Sequence, residues 1–136
     1  MSEEPARAEF LSPPTLAAPF GFSHVVTVAP GRVVWVSGQL PLAPDGTPAP
    51  AGDMTAQARR VFENVGRALE AAGAAWADVV KLTYYITDVS RLADIRAVRD
   101  TFVDTERPPA SSLVQVAGLV VPDAMIEVDA VACPAG

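Results

Sequence analysis

Val79-Val80-Lys81-Leu82-Thr83-Tyr84-Tyr85-Ile86-Thr87 alternates along its whole length. Val80, Leu82, Tyr84 and Ile86 fall on one face and Lys81, Thr83, Tyr85 and Thr87 on the other, the two-residue period of a strand. On either side the period changes. Upstream, Met54, Ala58, Val61, Val65, Ala68, Leu69 and Ala72 recur at spacings of three and four, which makes one apolar face of a long helix. Asp53 stands where a short acceptor side chain can cap that helix, and Gly73 closes it. Downstream, Ser90 is placed to cap a second helix with apolar positions Leu92, Ile95, Val98 and Phe102. Arg107-Pro108-Pro109 stops it, since proline has no amide hydrogen to continue the ladder. The centre of the chain is therefore a strand held between two amphipathic helices.

Two further strands lie beyond each helix. His24–Ala29 and Arg32–Gly38 precede the first, joined by the turn pair Pro30-Gly31, in which Pro fixes φ and Gly accepts positive φ. Pro44-Asp45-Gly46 turns the chain again, and the Pro/Ala-rich piece to Gly52 is a loop. Ser112–Leu119 and Met125–Ala132 follow the second helix, separated by a turn at Pro122-Asp123. Residues 1–20 show no clear period and read as an N-terminal tail partly draped on the domain, leaving 21–136 as one domain. The order β-β-α-β-α-β-β is that of an α+β domain, a mixed sheet with two helices on one face. The other face reads as largely apolar, and Arg32–Gly38 is apolar on both of its sides. Such a face needs cover, and further copies of the same sheet are the simplest source, so a symmetric oligomer is expected.

The chain has 136 residues, of which 50% are hydrophobic and 19% charged, enough apolar material for one globular core. No apolar run approaches the roughly 20 residues of a membrane span. Met1-Ser2-Glu3-Glu4-Pro5 lacks the basic and apolar regions of a secretory signal, and Cys133 is the only cysteine, so no internal disulfide exists. A cytoplasmic protein is expected. The net charge of −6 argues against a nucleic-acid partner, whose phosphates call for a basic surface. Arg59-Arg60 and the group Arg91, Arg96 and Arg99 read first as solvated helix surface.

Glu127 and Asp129 stand two apart in the last strand and share a face, opposite Ile126, Val128 and Ala130. Paired carboxylates of this kind suit acid–base work or the holding of a water, and equally suit a polar rim. His24 is the sole histidine and has no second ligand at metal spacing, so no metal site is expected and His24 reads as a polar residue opening a strand. No phosphate loop, dinucleotide fingerprint or Ser-His-Asp arrangement is recognisable. Cys133, Trp35, Tyr84 and Tyr85 read as packing residues.

A resemblance extends this reading. Phe22-Ser23-His24-Val25-Val26, Val34-Trp35-Val36-Ser37-Gly38-Gln39-Leu40-Pro41, Val61-Phe62-Glu63-Asn64-Val65, Asp78-Val79-Val80-Lys81, Pro109-Ala110-Ser111-Ser112 and Ile126-Glu127-Val128-Asp129-Ala130-Val131-Ala132 together resemble the RidA/YjgF family in uninterrupted order. The resemblance implies a chorismate-mutase-like fold, a homotrimer with ligand clefts between subunits, and hydrolysis of reactive enamines or imines to ketoacids and ammonia without metal or cofactor. It implies that Glu127 serves the catalytic water and that Ser37 and Gly38 line the pocket. It places Phe22 at the family's tyrosine and Arg96 at its cleft-facing asparagine, with Leu113 as a further lining residue. Ser111 stands where the family's arginine grips a substrate carboxylate, and a serine supplies neither a cation nor a fork of donors. Two readings follow. One is a hydrolase with atypical recognition, whose substrate either lacks a carboxylate or is gripped differently, with Arg96, Arg99 and Arg107 as the candidate compensating cations. The other is a non-catalytic small-molecule-binding or regulatory trimer. Ribonuclease activity, attached to some relatives, is disfavoured by the acidic charge and the lone histidine.

Overall fold

The computed structural model describes residues 7–29 and 31–135. Its elements run β1 (Ala8–Leu11), β2 (Val25–Val28), β3 (Val34–Gln39), α1 (Met54–Ala71), β4 (Val79–Ile86), α2 (Leu92–Arg99), β5 (Ala110–Gln115) and β6 (Ile126–Ala132). Strands β3, β6, β4 and β5 form one sheet in that spatial order. Only β4 and β5 are parallel, as the intervening helix α2 requires; β6 returns to lie antiparallel between β3 and β4. β1 and β2 pair antiparallel in a separate two-stranded sheet. Both helices pack on one face of the mixed sheet, the α+β arrangement expected from the sequence.

Helix α1 begins and ends on the expected residues. The Asp53 carboxylate accepts from the Ala56 amide at 2.9 Å. At the other end Gly73, at φ +73°, turns the chain so that its amide reaches Glu70 O and the Ala74 amide reaches Leu69 O. These bonds satisfy carbonyls the helix itself leaves free. The buried face of α1 holds the periodic residues Met54, Ala58, Val61, Val65 and Leu69 together with Phe62 and Gln57, with Ala68 and Ala72 only partly buried. The Phe62 ring clusters with Trp76 at 5.6 Å and Phe102 at 5.5 Å between centroids, tying α1 to the segments that flank β4 and α2. Burying such a ring contributes about 1.5–3 kcal/mol. Gln57 bonds with both ends of its amide. Its Nε2 donates to Pro50 O and Asp123 O, and its Oε1 accepts from the Met125 amide, so a buried polar group is fully used.

Several boundaries differ from the sequence reading. The stretch read as a tail contains β1, which Arg7 anchors by donating to the Cys133 and Pro134 carbonyls; residues 1–6 and Pro30 of the expected Pro30-Gly31 turn lie outside the described residues. Asp88, not Ser90, caps the turn leading into α2, accepting from the Ser90 amide at 2.9 Å. Helix α2 stops at Arg99 rather than near Arg107, because the Thr101 hydroxyl bonds back to Val98 O and the chain closes in a tight turn there. β5 spans 110–115 rather than 112–119: its partner β4 ends at Ile86, and the last ladder contact is the Val116 amide to Ile86 O. The uncovered sheet face is mixed rather than largely apolar. Lys81, Thr83, Tyr85, Glu127 and Asp129 occupy its middle, while Trp35, 77% exposed, and Val114 stand towards its edges. β3 is thus covered on one side only within a single chain.

Candidate active-site cleft

The register of the sheet sorts the candidate residues onto two faces. Leu82 and Tyr84 point to the helices, and their partners on β5 are Ser111 and Leu113. Thr83 and Tyr85 point the other way, and their partners on β6 are Asp129 and Glu127. Side chains paired across a ladder share a face. Ser111 and Leu113 therefore lie on the helix side, and Glu127 on the open side.

On the helix side a cleft of about 270 Å³ opens between α2, β5 and the segment before β2. Phe22, Arg96, Ser111 and Leu113, all expected at the site, line it together. Phe20, Tyr84, Leu92, Ile95 and Arg99 complete the wall. Phe22 is held there by its neighbour: the Ser23 amide donates to Pro109 O at 3.1 Å and its hydroxyl to Pro108 O at 2.7 Å. Gly21, at φ +72°, lets the chain cross directly over the Arg99 guanidinium, where any Cβ would collide with it. The Arg99 Nε donates to the Asp100 carboxylate at 2.9 Å, and its side chain is only 14% exposed. Arg96 lies over the Phe20 ring at 5.7 Å, a cation on an aromatic face. The Tyr84 hydroxyl is buried and has no hydrogen-bond partner. Burial pushes its pKa well above the ordinary phenol value; the Arg99 charge opposes that rise and Asp100 adds to it.

On the open side, Gly38 lies against the Glu127 carboxylate. The β3–β6 ladder is irregular between Val36 and Gln39, which carries Ser37, exposed, and Gly38 through that region. Asp129 accepts from the Tyr85 hydroxyl at 3.2 Å, and this bond, with the carboxylate charge, raises the Tyr85 pKa. Lys81 donates to the Ser112 hydroxyl at 2.8 Å. Within one chain, then, Ser37, Gly38 and Glu127 do not meet the cleft that holds the other candidates.

Of the three arginines considered as compensating cations, Arg96 and Arg99 line the cleft. Arg107 is engaged elsewhere, stacked on Phe10 at 4.7 Å and donating to Ala8 O. His24 contacts the Ala17 carbonyl through Nε2 at 2.6 Å, a structural use. Among the described residues, no three His, Cys, Asp or Glu side chains are grouped to hold a metal ion, and no helix is long and apolar enough to cross a membrane. The sequence reading passed over Tyr84 and Phe20 as lining residues. A signal for Tyr84 was present in the alternation itself, which put a phenol on the helix-facing side, where its hydroxyl would need a partner. Phe20 lay in the stretch without a period and gave no such sign.

Residues 14–133 match the family model described as endoribonuclease L-PSP. The 2-iminobutanoate/2-iminopropanoate deaminase of Salmonella typhimurium is 40% identical over 111 residues, covering 80% of this chain and 85% of that one. Among solved structures, a Rid-family protein of unknown function from Yersinia pestis superimposes with a TM-score of 0.85 at 34% identity, over 94% of this chain and 99% of that chain. Escherichia coli TdcF with bound serine gives a TM-score of 0.70 at 35% identity, over 88% and 91% of the two chains.

Proposed function

We propose a function on the ground that this chain belongs to the endoribonuclease L-PSP family, the family of the Rid proteins. Its fold is the chorismate-mutase-like α+β arrangement of that family. In our reading it is a cytoplasmic hydrolase that converts a reactive enamine or imine to the carbonyl compound and ammonia, at a cleft completed by a second subunit of a homotrimer. The observation that carries this reading is the cleft itself, which gathers Phe22, Ser111 and Leu113 beside two arginines.

The chemistry asks little of the protein. Water adds to the C=N carbon while Glu127 takes one of its protons. The proton passes to the nitrogen of the tetrahedral adduct; the adduct's hydroxyl proton follows it to that nitrogen by way of Glu127, and the C–N bond breaks with loss of ammonia as the C=O bond forms. Glu127 sits across the sheet from the cleft of its own chain, so the cleft is served by the Glu127 of a neighbouring copy. A neighbouring copy seated over the open sheet face would also cover Trp35. A net charge of −6 speaks against a nucleic-acid substrate, and the reading needs no metal or cofactor.

Ser111 favours a second reading. With no guanidinium at that position, the cleft would bind a small metabolite without turning it over. One experiment separates the two: ammonia release from an imino acid generated in place by an amino-acid oxidase, with light scattering on the same sample. The hydrolase reading expects release well above the spontaneous rate, abolished by Glu127→Gln, and a mass three times the 14.2 kDa chain. Ligand binding without faster release supports the second reading, and a monomer mass sinks the shared cleft.

A further inference from the structure

We propose that Tyr84 and Arg99 form the anion-binding end of this cleft, so that its ligand is a small carboxylate with an apolar body, gripped by these two side chains in place of an arginine at Ser111. The proposal rests on the reading of this cleft as the substrate site, and it adds which residues select the substrate and of what class.

The Tyr84 hydroxyl is the starting point. A buried phenol with no partner is unfavourable, and a position that served packing alone would be better filled by phenylalanine. Tyr84 is a wall residue of the cleft, so a ligand seated against it can supply the acceptor that its buried hydroxyl lacks. Burial keeps it protonated at neutral pH and hence a donor.

Arg99 is an independent observation. It is largely buried, yet only Nε has an acceptor, the Asp100 carboxylate; Nη1 and Nη2 have none among the described residues. Nη1 and Nη2 therefore have donors to spare for a ligand that enters the cleft. The backbone at Gly21, in a left-handed conformation, passes directly above the guanidinium and helps to wall it in. A carboxylate has two oxygens, each with capacity for two donors. It can take the Arg99 fork and the Tyr84 hydroxyl together.

The rest of the wall describes the rest of the ligand. Phe22, Leu92, Ile95 and Leu113 are apolar, so the body of the ligand is too. Within one chain the cleft, about 270 Å³, has room for a small aliphatic molecule. An aliphatic 2-imino acid is of this kind.

Calorimetric titration of the full chain with α-ketoisocaproate, a stable keto acid of that kind, tests this, with methyl isobutyl ketone as its uncharged counterpart. The keto acid is expected to bind and the ketone to bind at least tenfold more weakly. Arg99→Met, which keeps the apolar stem, should weaken the keto acid at least tenfold, and Arg99→Lys should recover part of that loss. Tyr84→Phe should weaken it severalfold while leaving the melting temperature unchanged or higher, which a merely structural hydroxyl would not do. The proposal is overturned if wild-type protein does not bind the keto acid at millimolar concentration, if the ketone binds equally well, or if Arg99→Met and Tyr84→Phe both bind as wild type does. Ammonia release measured on the same variants keeps the two ideas apart. Keto-acid binding by wild-type protein with no turnover removes the hydrolase and leaves the clamp, whereas turnover by wild type that is untouched in both variants removes the clamp and leaves the hydrolase.

Discussion

Gly38 and the Glu127 carboxylate are packed so closely that a single methyl group added to Gly38 would occupy the carboxylate's place. The colliding atoms are the far end of a flexible side chain, so Gly38→Ala should swing Glu127 aside rather than unfold the strand. Moving a side chain off its rotamer costs about 1 kcal/mol. Displacing a catalytic group by about 1 Å can cost on the order of a hundredfold in rate. Gly38→Ala is therefore expected to reduce turnover nearly as much as Glu127→Gln, with little change in melting temperature. Steady-state kinetics beside a thermal melt checks this; wild-type turnover in Gly38→Ala would remove Glu127 from the chemistry.

Asp129 should behave differently from its neighbour on the strand. It accepts from Tyr85, and the hydrogen bond and charge hold the phenol proton in place. The folded state binds that proton more tightly than the unfolded chain does. Any stability from this pair is therefore present below about pH 10 and is lost as the pH rises through the raised value. Asp129→Asn should return the Tyr85 titration towards the ordinary phenol range, read by ultraviolet absorbance against a Tyr85→Phe control, and leave most of the turnover intact.

Ser111 and Arg99 line the same cleft, so one position should be able to substitute for the other. In the Arg99→Met background, Ser111→Arg restores a fork of donors to the carboxylate. A hydrogen bond to a charged group contributes about 1.5–3 kcal/mol, and at about 1.4 kcal/mol per tenfold that is roughly ten- to a hundredfold in affinity. In wild-type protein the same substitution should add far less, because Arg99 already serves. Keto-acid affinities of the four proteins form the cycle, and equal effects of Ser111→Arg in both backgrounds would show that the two cations do not share a ligand.

Gln57 ties α1 to the approach to β6 through three hydrogen bonds made by one buried amide. Gln57→Leu fills the space but leaves two carbonyls and the Met125 amide without partners. Each buried group left unsatisfied costs about 1–3 kcal/mol, so a loss of about 3 kcal/mol or more is expected in urea unfolding. A loss under about 1 kcal/mol would mean that water replaces the amide.

The elements that the sequence reading placed well are those with local causes. Asp53 and Gly73 bound α1 because a capping carboxylate and a left-handed glycine act within a few residues. The expected alternation holds from Lys81 to Ile86, because one face of β4 is buried and the other is not; it fails at Val80, where a register shift against β6 between Val79 and Lys81 leaves Val79, not Val80, in the core. Where tertiary contacts decide, the sequence was silent. β1 exists because β2 and the chain end offer it partners, and β5 stops where β4 runs out. The resemblance brought Phe22, Ser111 and Leu113 to one cleft with Arg96. It did not reveal that Glu127 lies across the sheet from them, because a list of pocket residues carries no record of which chain supplies each. Tyr84 went unread for a related reason: an aromatic residue on an apolar strand face looks like packing until its hydroxyl is found alone.

The division of the candidate residues between the two faces of the sheet has a genetic meaning on the proposed trimer. A chain carrying Glu127→Gln keeps a sound cleft, and a chain carrying Arg99→Met keeps a sound carboxylate, although each alone assembles only dead sites. Coexpressed in equal amounts and mixed at random around a three-fold ring, the two would join a sound cleft to a sound carboxylate at about one interface in four. Two inactive alleles would thus complement each other to about a quarter of full activity. A chain carrying both lesions, mixed with wild type, would spoil sites on both of its borders and act as a dominant poison.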